Sequence, residues 1–236
     1  MAVIPVITID GPSAVGKGTA ARLVAAELGF HLLDSGALYR LLALKTLRLG
    51  MPQVAANAAQ IASLAEQLDI AFEADDGNTR VLLDGEDVSA EIRTEAVGAR
   101  ASEVAALADV RAALLDLQRG FRRAPGLVAD GRDMGTVVFP DAQVKLFIDA
   151  SAAVRARRRH KELSDKGKNV NIASLLREIN ERDDRDRNRK VAPLQPAADA
   201  LLINTDELGI QQVKSQIIDH IRQCLPDQPL PGSTDC

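Results

Sequence analysis

The chain has 236 residues, of which 46% are hydrophobic and 26% charged, enough for one sizeable core with an insertion or two and too apolar for a broadly disordered chain. A formal net charge of −4 excludes a protein whose main task is non-specific binding to nucleic acid or anionic membrane, and 3% aromatics without Trp leave little material for stacking bases. Cys224 and Cys236 are the only cysteines and lack metal-ligand spacing, MAVIPVITID lacks the marks of a secretory signal, and no run of about 18 apolar residues exists, so a cytoplasmic protein without a membrane or nucleic-acid partner is expected.

Residues 3–9 form a β-branched apolar run ending at Asp10-Gly11, and helical periodicity runs from near Lys17 to about Leu28: strand, glycine-rich loop, helix. The segment Gly11-Pro12-Ser13-Ala14-Val15-Gly16-Lys17-Gly18-Thr19 therefore stands in the context that a phosphate-binding loop requires. Glycines let the backbone wrap so that successive N–H groups face phosphate oxygens, and the helix N-terminus adds a favourable dipole. Each of these residues is expected at ATP, with Lys17 reaching the β- and γ-phosphates and the Thr19 hydroxyl near Mg²⁺. A plain glycine-rich turn is the alternative, but at residue frequencies of roughly 5 to 7% this pattern arises by chance in about one chain in a few thousand, which disfavours it. Gly18 stands where the general loop has Ser or Thr, moving the hydroxyl to Thr19, a variant that belongs to nucleoside monophosphate kinases.

A second strand-loop-helix junction follows at HLL and Asp34-Ser35-Gly36. Ser35 can cap the helix, and that N-terminus with Arg40 one turn on suits another phosphate. Taken alone a capped helix with an exposed Arg is the ordinary reading; beside a phosphate loop the segment gains weight, because a kinase needs an acceptor site. LDIAFEA and TRVLLD then flank Asp75-Asp76-Gly77-Asn78, a β-hairpin signature. Further apolar runs at Leu127 to Ala129, Val144 to Ile148 and Ala200 to Ile203, each followed by turn residues and helical periodicity, imply an α/β fold of the P-loop type: a parallel sheet of about five strands with helices on both faces. Asp130 ends one of these strands, at the carboxyl edge where α/β sites collect, and could hold a water of Mg²⁺ or cap a helix. Arg132 and Asp133 follow in the same loop, where a lone Arg-Asp pair would ordinarily be solvated.

Toward the C-terminus, helical spacing puts Arg155, Arg158 and Arg159 on one face, and Arg182, Asp186 and Arg189 at i, i+4 and i+7 on another. A salt-bridge-laced surface helix is the default for such a pattern. Two Arg-bearing helices joined by the polar SDKGKN could instead form a lid over ATP, since the guanidinium fork binds phosphate oxygens bidentately and stays protonated.

GPSAVGKGT, LLDSGALYR, LVADGRDMGTVVFPDA and REINERDDRDRNRKVAPL together resemble bacterial cytidylate kinases, P-loop nucleoside monophosphate kinases, through nearly the whole chain to about residue 225. Many relatives have Gly at the position of Ala14. The resemblance implies transfer of the γ-phosphoryl of ATP to CMP or dCMP with Mg²⁺, by a protein expected to be a monomer. It implies catalytic roles for Lys17, Arg132, Arg182 and Arg189, and ATP contact by Arg158. It also implies CMP contacts from Ser35, Arg40, Ser102, Arg111, Arg132, Asp133, Arg182, Asp186 and Arg189, with metal contact by Thr19 and, through water, Asp130. Within the CMP set, Arg111 would donate to N3 and O2 of cytosine while Asp133 and Ser102 accept from N4.

On this basis residues 1–63, 104–154 and 170–225 are expected to form the kinase core, 64–103 an acceptor-binding insertion, 155–169 a short lid and 226–236 a frayed tail. The nearest rival is a P-loop kinase for another nucleotide or a small hydroxylated metabolite. A nucleotide switch of the GTPase kind lacks its N-K-x-D motif here, and a purely structural α/β domain would form no ADP.

Overall fold

Strands that alternate with helices and are apolar on both faces can bury themselves only at the centre of a covered parallel sheet. In the computed structural model, which describes residues 3–51, 53–75, 78–165 and 167–226, β1 (Val6–Asp10) is such a strand, buried at every position. The chain divides into two compact units, residues 1–34 with 119–236 and residues 35–118.

In the first unit β1 pairs in parallel with β6 (Leu127–Gly131) on one side and β7 (Val144–Asp149) on the other. The edge strands β2 (His31–Asp34) and β8 (Leu201–Asn204) complete the order β2-β6-β1-β7-β8. Helix α1 (Lys17–Leu28) leaves the loop after β1 and packs on β6 and on α8 (Ile210–Cys224). The core runs through Ile7, Ile9, Val24, Val128, Leu146 and Ile217. Between β7 and β8, α6 (Ala152–Asp165) packs against α7 (Ile172–Asn188), whose first turn is capped by Asn171 accepting from the amides of Ala173 and Ser174. The sheet agrees with the sequence expectation, with strand ends differing by up to three residues.

The second unit has its own core. Helix α2 (Ser35–Arg48) packs against α4 (Glu95–Val104), and with α3 (Ala58–Glu66) and α5 (Ala108–Arg119) it accounts for the helices of this part of the chain. Strands β3 (Ile70–Asp75), β4 (Asn78–Leu83) and β5 (Glu86–Asp87) form an antiparallel sheet, so the expected hairpin is present; its central turn residues Asp76 and Gly77 lie outside the described residues. Leu41, Leu42, Ile61, Leu83, Val104 and Leu114 are fully buried here. The unit thus includes residues 35–63 and 104–118 as well as the 64–103 segment, because α2 and α4 share one core.

Ile217 is fully enclosed on α8. Ile217→Ala is expected to lower the unfolding free energy by about 2–5 kcal/mol, read as a drop in urea midpoint at unchanged slope, because a rigid core closes only partly over the missing carbons.

Candidate active site

The loop after β1 is shaped by steric necessity. Gly11 has φ 148°, and a Cβ there would lie 2.0 Å from the carbonyl oxygen of Ile148 on β7, so no other residue lets the chain leave the sheet at this point. Ala14 holds φ 60°, a left-handed conformation costing an L-residue about 1–2 kcal/mol and one that glycine would adopt without that cost. Gly18 explains the displaced hydroxyl: a Cβ on it would lie 3.2 Å from Asp130 Oδ2, so a Ser or Thr would press on that carboxylate, whereas Thr19 is exposed.

Lys17, the first residue of α1, is buried; its Nζ donates to the carbonyl of Pro12 at 3.0 Å and lies 3.6 Å from Asp130 Oδ1. Burial and then the nearby Arg132 pull the Lys17 ammonium down to about 8, while Asp130 opposes them. Burial pushes the Asp130 carboxyl up to about 6 against the attraction of Lys17. Each is thus the other's counter-ion.

Around this pair the arginines and carboxylates of the first unit alternate. Arg132 Nε donates to Asp186 Oδ2 at 3.0 Å, and Arg189 Nη2 lies 3.7 Å from Asp133 Oδ1, with Asp133 and Asp186 both buried. Burial pushes the Asp186 carboxyl up, but Arg132, Arg182 and Arg189 outweigh it and hold the group below the usual carboxylate range. Arg182 also weighs on Lys17, so the expected donor-side and acceptor-side cations belong to one electrostatic cluster. One expectation is corrected: Arg189 is not on the face of the helix with Arg182 and Asp186. The helix stops at Asn188, and Arg189 follows in extended backbone with φ −65° and ψ 141°, its Nε donating to the Ala192 carbonyl. Helical spacing did not foresee the stop because no Gly or Pro marks it.

The arginines expected to form a lid are differently employed. Arg155 is buried on α6, bound through both terminal nitrogens to the Asp183 carboxylate, with Nη1 also 3.2 Å from the Ser13 carbonyl. Arg158 donates to the carbonyl of Thr205 and, at 3.0 Å, to its hydroxyl, with Nη1 3.5 Å from the Val15 carbonyl of the phosphate loop. Arg159 pairs with Glu162 at 2.7 Å.

In the second unit Ser35 is the first residue of α2, and its hydroxyl donates to Gln118 Oε1 at 2.8 Å. Arg40 donates to the Ile92 carbonyl at 2.8 Å and lies along α4, where a Cβ on Gly98 would meet its guanidinium at 3.2 Å. Arg111 is buried with its guanidinium 5.6 Å from the centre of the Tyr39 ring, and donates to the Ala105 carbonyl at 3.2 Å. Ser102 is buried on α4.

Sequence reasoning missed Asp10, Asp183, Gln118 and Thr205. Asp183 was legible: Leu175, Ile179, Asp183 and Asp186 follow one another on the buried face of α7, so two acids stand where an apolar stripe would continue. Asp10 ends a wholly buried strand, and its two oxygens accept the amides of Met134 and Gly135, each at 2.8 Å. Burial pushes its carboxyl up to about 7, against the pull of those amides and of Lys17.

A glycine loop at the carboxyl end of the central parallel strand, with its lysine buried against an aspartate and arginines gathered around it, defines a P-loop phosphotransferase. The sequence profile of the cytidylate kinase family matches residues 7–223. A cytidylate kinase of Aeromonas hydrophila is 56% identical over 94% of this chain and 96% of its own, and one of Edwardsiella ictaluri 57% over 95% and 99%. A cytidylate kinase of Salmonella arizonae is 57% identical over 95% of this chain and 98% of its own. The chain belongs to the cytidylate kinase family.

The raised carboxyl of Asp10 has a defined consequence for stability. Its unfolded value is near 3.8 and its folded value about 7, so its contribution is complete below the first and lost as pH rises through the second. The Tm of the wild type minus that of Asp10→Asn is therefore expected to fall between pH 4 and pH 7.5, measured by circular dichroism at matched ionic strength. A flat difference would mean that Asp10 titrates as it does in the unfolded chain.

Proposed function

We propose that the chain transfers the γ-phosphoryl of ATP to the phosphate of CMP or dCMP, giving ADP and CDP or dCDP, with its donor site built on Gly11 to Thr19. The observation that carries this is the buried cluster in which Lys17 and Asp130 share a charge pair beside Arg132, Asp186 and the Arg189–Asp133 pair. Buried cations on this scale are costly unless paired, and a polyanionic ligand is what makes their concentration useful.

In this reading the loop amides hold the donor phosphates, and Lys17 turns from the Pro12 carbonyl to the β- and γ-oxygens. Arg158, already at the Val15 carbonyl, is assigned to ATP, while Arg132, Arg182 and Arg189 neutralise charge on the phosphoryl oxygens in flight. Phosphoryl transfer through a loose transition state needs alignment and charge, so no general base is assigned. The hydroxyl of Thr19 and, through water, the carboxylate of Asp130 suit a hard cation, and with no cluster of three His, Cys, Asp or Glu among the described residues such an ion would be held largely by substrate phosphates. Mg²⁺, when bound with ATP, supplies Lewis-acid neutralisation of the donor phosphates.

For the acceptor, the second unit is assigned Ser35, Arg40, Ser102 and Arg111, and the first unit Arg132, Asp133, Arg182, Asp186 and Arg189. Cytosine offers an N4 donor with N3 and O2 acceptors, which a guanidinium and a carboxylate complement. Uracil reverses N3 and position 4 and would leave those groups unpaired at roughly 1–3 kcal/mol each. The enzyme is proposed to act as a monomer in the cytoplasm; among the described residues no helix is long and apolar enough to cross a membrane.

The test is ADP release coupled to a spectroscopic readout across nucleoside monophosphates. CMP and dCMP are expected to give the highest kcat/KM, UMP less, and AMP and GMP least. Equal values for CMP and UMP would remove the base-reading assignment and leave a less selective kinase. Lys17→Ala is expected to fold and to lose kcat by orders of magnitude, since the contact strengthens as charge develops.

A further inference from the structure

Asp10 lies immediately before Gly11, and its side chain reaches a different loop. Oδ1 accepts the amide of Met134 and Oδ2 the amide of Gly135, each at 2.8 Å. These are the first amides of a single π-helical turn, Met134–Val138, that directly follows Arg132 and Asp133. The same turn grips Asp133 from the other side: the amides of Val137 and Val138 donate to the Asp133 carbonyl at 2.9 and 3.2 Å. Nothing between the turn and β1 is slack. A Cβ on Gly135 would lie 2.8 Å from Thr8 Oγ1, and one on Gly131 would lie 2.7 Å from Met134 Cγ.

We propose that Asp10 is a positioning residue of the phosphoryl transfer. By clamping the amides of Met134 and Gly135 it holds Arg132 and Asp133 at a fixed offset from the donor loop that begins at its own carbonyl, and so sets both the rate and the choice of base. The inference rests on the assignment of Arg132 and Asp133 to CMP made above. A neutral apolar residue at the end of a buried strand would avoid the desolvation that pushes this carboxyl up to about 7; the carboxylate is the side chain short enough to reach both amides and able to accept from each. A π-turn interrupts regular backbone, and here Asp10 holds its first two amides from outside.

Asp10→Asn keeps the volume and one acceptor oxygen but turns an N–H toward one of the amides. The variant is expected to fold, to hold KM for ATP within about twofold, and to lose kcat with CMP by about tenfold to a hundredfold, the scale that a misplacement of about 1 Å produces. The ratio of kcat/KM for CMP to that for UMP is expected to shrink with it, which a loss of stability alone would not bring about. Gly135→Ala, which lifts the same turn from the other contact, is expected to show the same pattern, and Thr8→Ala added to it is expected to restore rate and ratio by removing the clashing hydroxyl. The inference is overturned if folded Asp10→Asn keeps wild-type kcat. Should that variant fail to fold, Gly135→Ala with unchanged kcat and ratio overturns it instead, and rescue by Thr8→Ala upholds it. An Asp133→Ala control separates the two levels: if its CMP-to-UMP ratio is that of the wild type, the base-reading assignment fails while Asp10 is still decided by kcat and by KM for ATP.

Discussion

Burying charge beneath the phosphate loop is the constraint on which the first unit depends. Lys17, Arg155, Asp10, Asp130, Asp133, Asp183 and Asp186 are all withdrawn from solvent, and a lone ion in such surroundings costs several kcal/mol. The fold meets that cost by interleaving signs: Lys17 with Asp130, Arg132 with Asp186, Arg189 with Asp133, Arg155 with Asp183. Among the described residues Asp10 has no such cation at contact distance and leans on backbone amides, and burial pushes its carboxyl up to about 7. A network of this kind stabilises little by itself and would be replaced by apolar packing if stability were the only demand. Its retention makes sense where a ligand of high negative charge is the missing member.

The parallel sheet and its loop were legible because local and global signals agree there. Val6 to Ile9 form a β-branched run buried on both faces, glycine follows at Gly11, and helical periodicity begins at Lys17, so strand, turn and helix are each specified by residues within them. The hairpin was legible for the same reason. What remained hidden was anything set by contacts distant in sequence. Nothing near Arg155 tells whether it faces ATP or Asp183, which lies 28 residues away, and nothing near Asp10 points to amides more than 120 residues on. Arg189 shows the converse limit, since periodicity continued a helix that the chain abandons after Asn188.

In the second unit the side chains proposed to hold the acceptor are already engaged by groups of the unit itself. Arg111 rests over Tyr39 and donates to the Ala105 carbonyl, Arg40 is held by the Ile92 carbonyl, and Ser35 by Gln118. Each of these three side chains thus already has a partner that limits its rotamers, which lowers the entropy lost when a nucleotide replaces or joins that partner. The partners are two backbone carbonyls, one ring and one side-chain amide of the same unit, so the pre-ordering derives from the core of Leu41, Ile61 and Leu114 that keeps the unit folded.

The parallel sheet of the first unit ends on both sides in strands of only four residues, His31–Asp34 and Leu201–Asn204. Each of these edges closes on a polar residue, Asp34 or Asn204, and the outer one carries the exposed Leu202. An unpaired strand is a template for other chains, and the defence available to a molecule that cannot close its sheet into a barrel is to keep that template short and to end it on groups that prefer water. Colloidal behaviour at high concentration is therefore governed at the rim of the sheet. A change that lengthened the last strand or replaced Asn204 by a β-branched apolar residue would favour edge-to-edge pairing of one molecule's sheet with another's while leaving the phosphate loop, two strands inward, as it is.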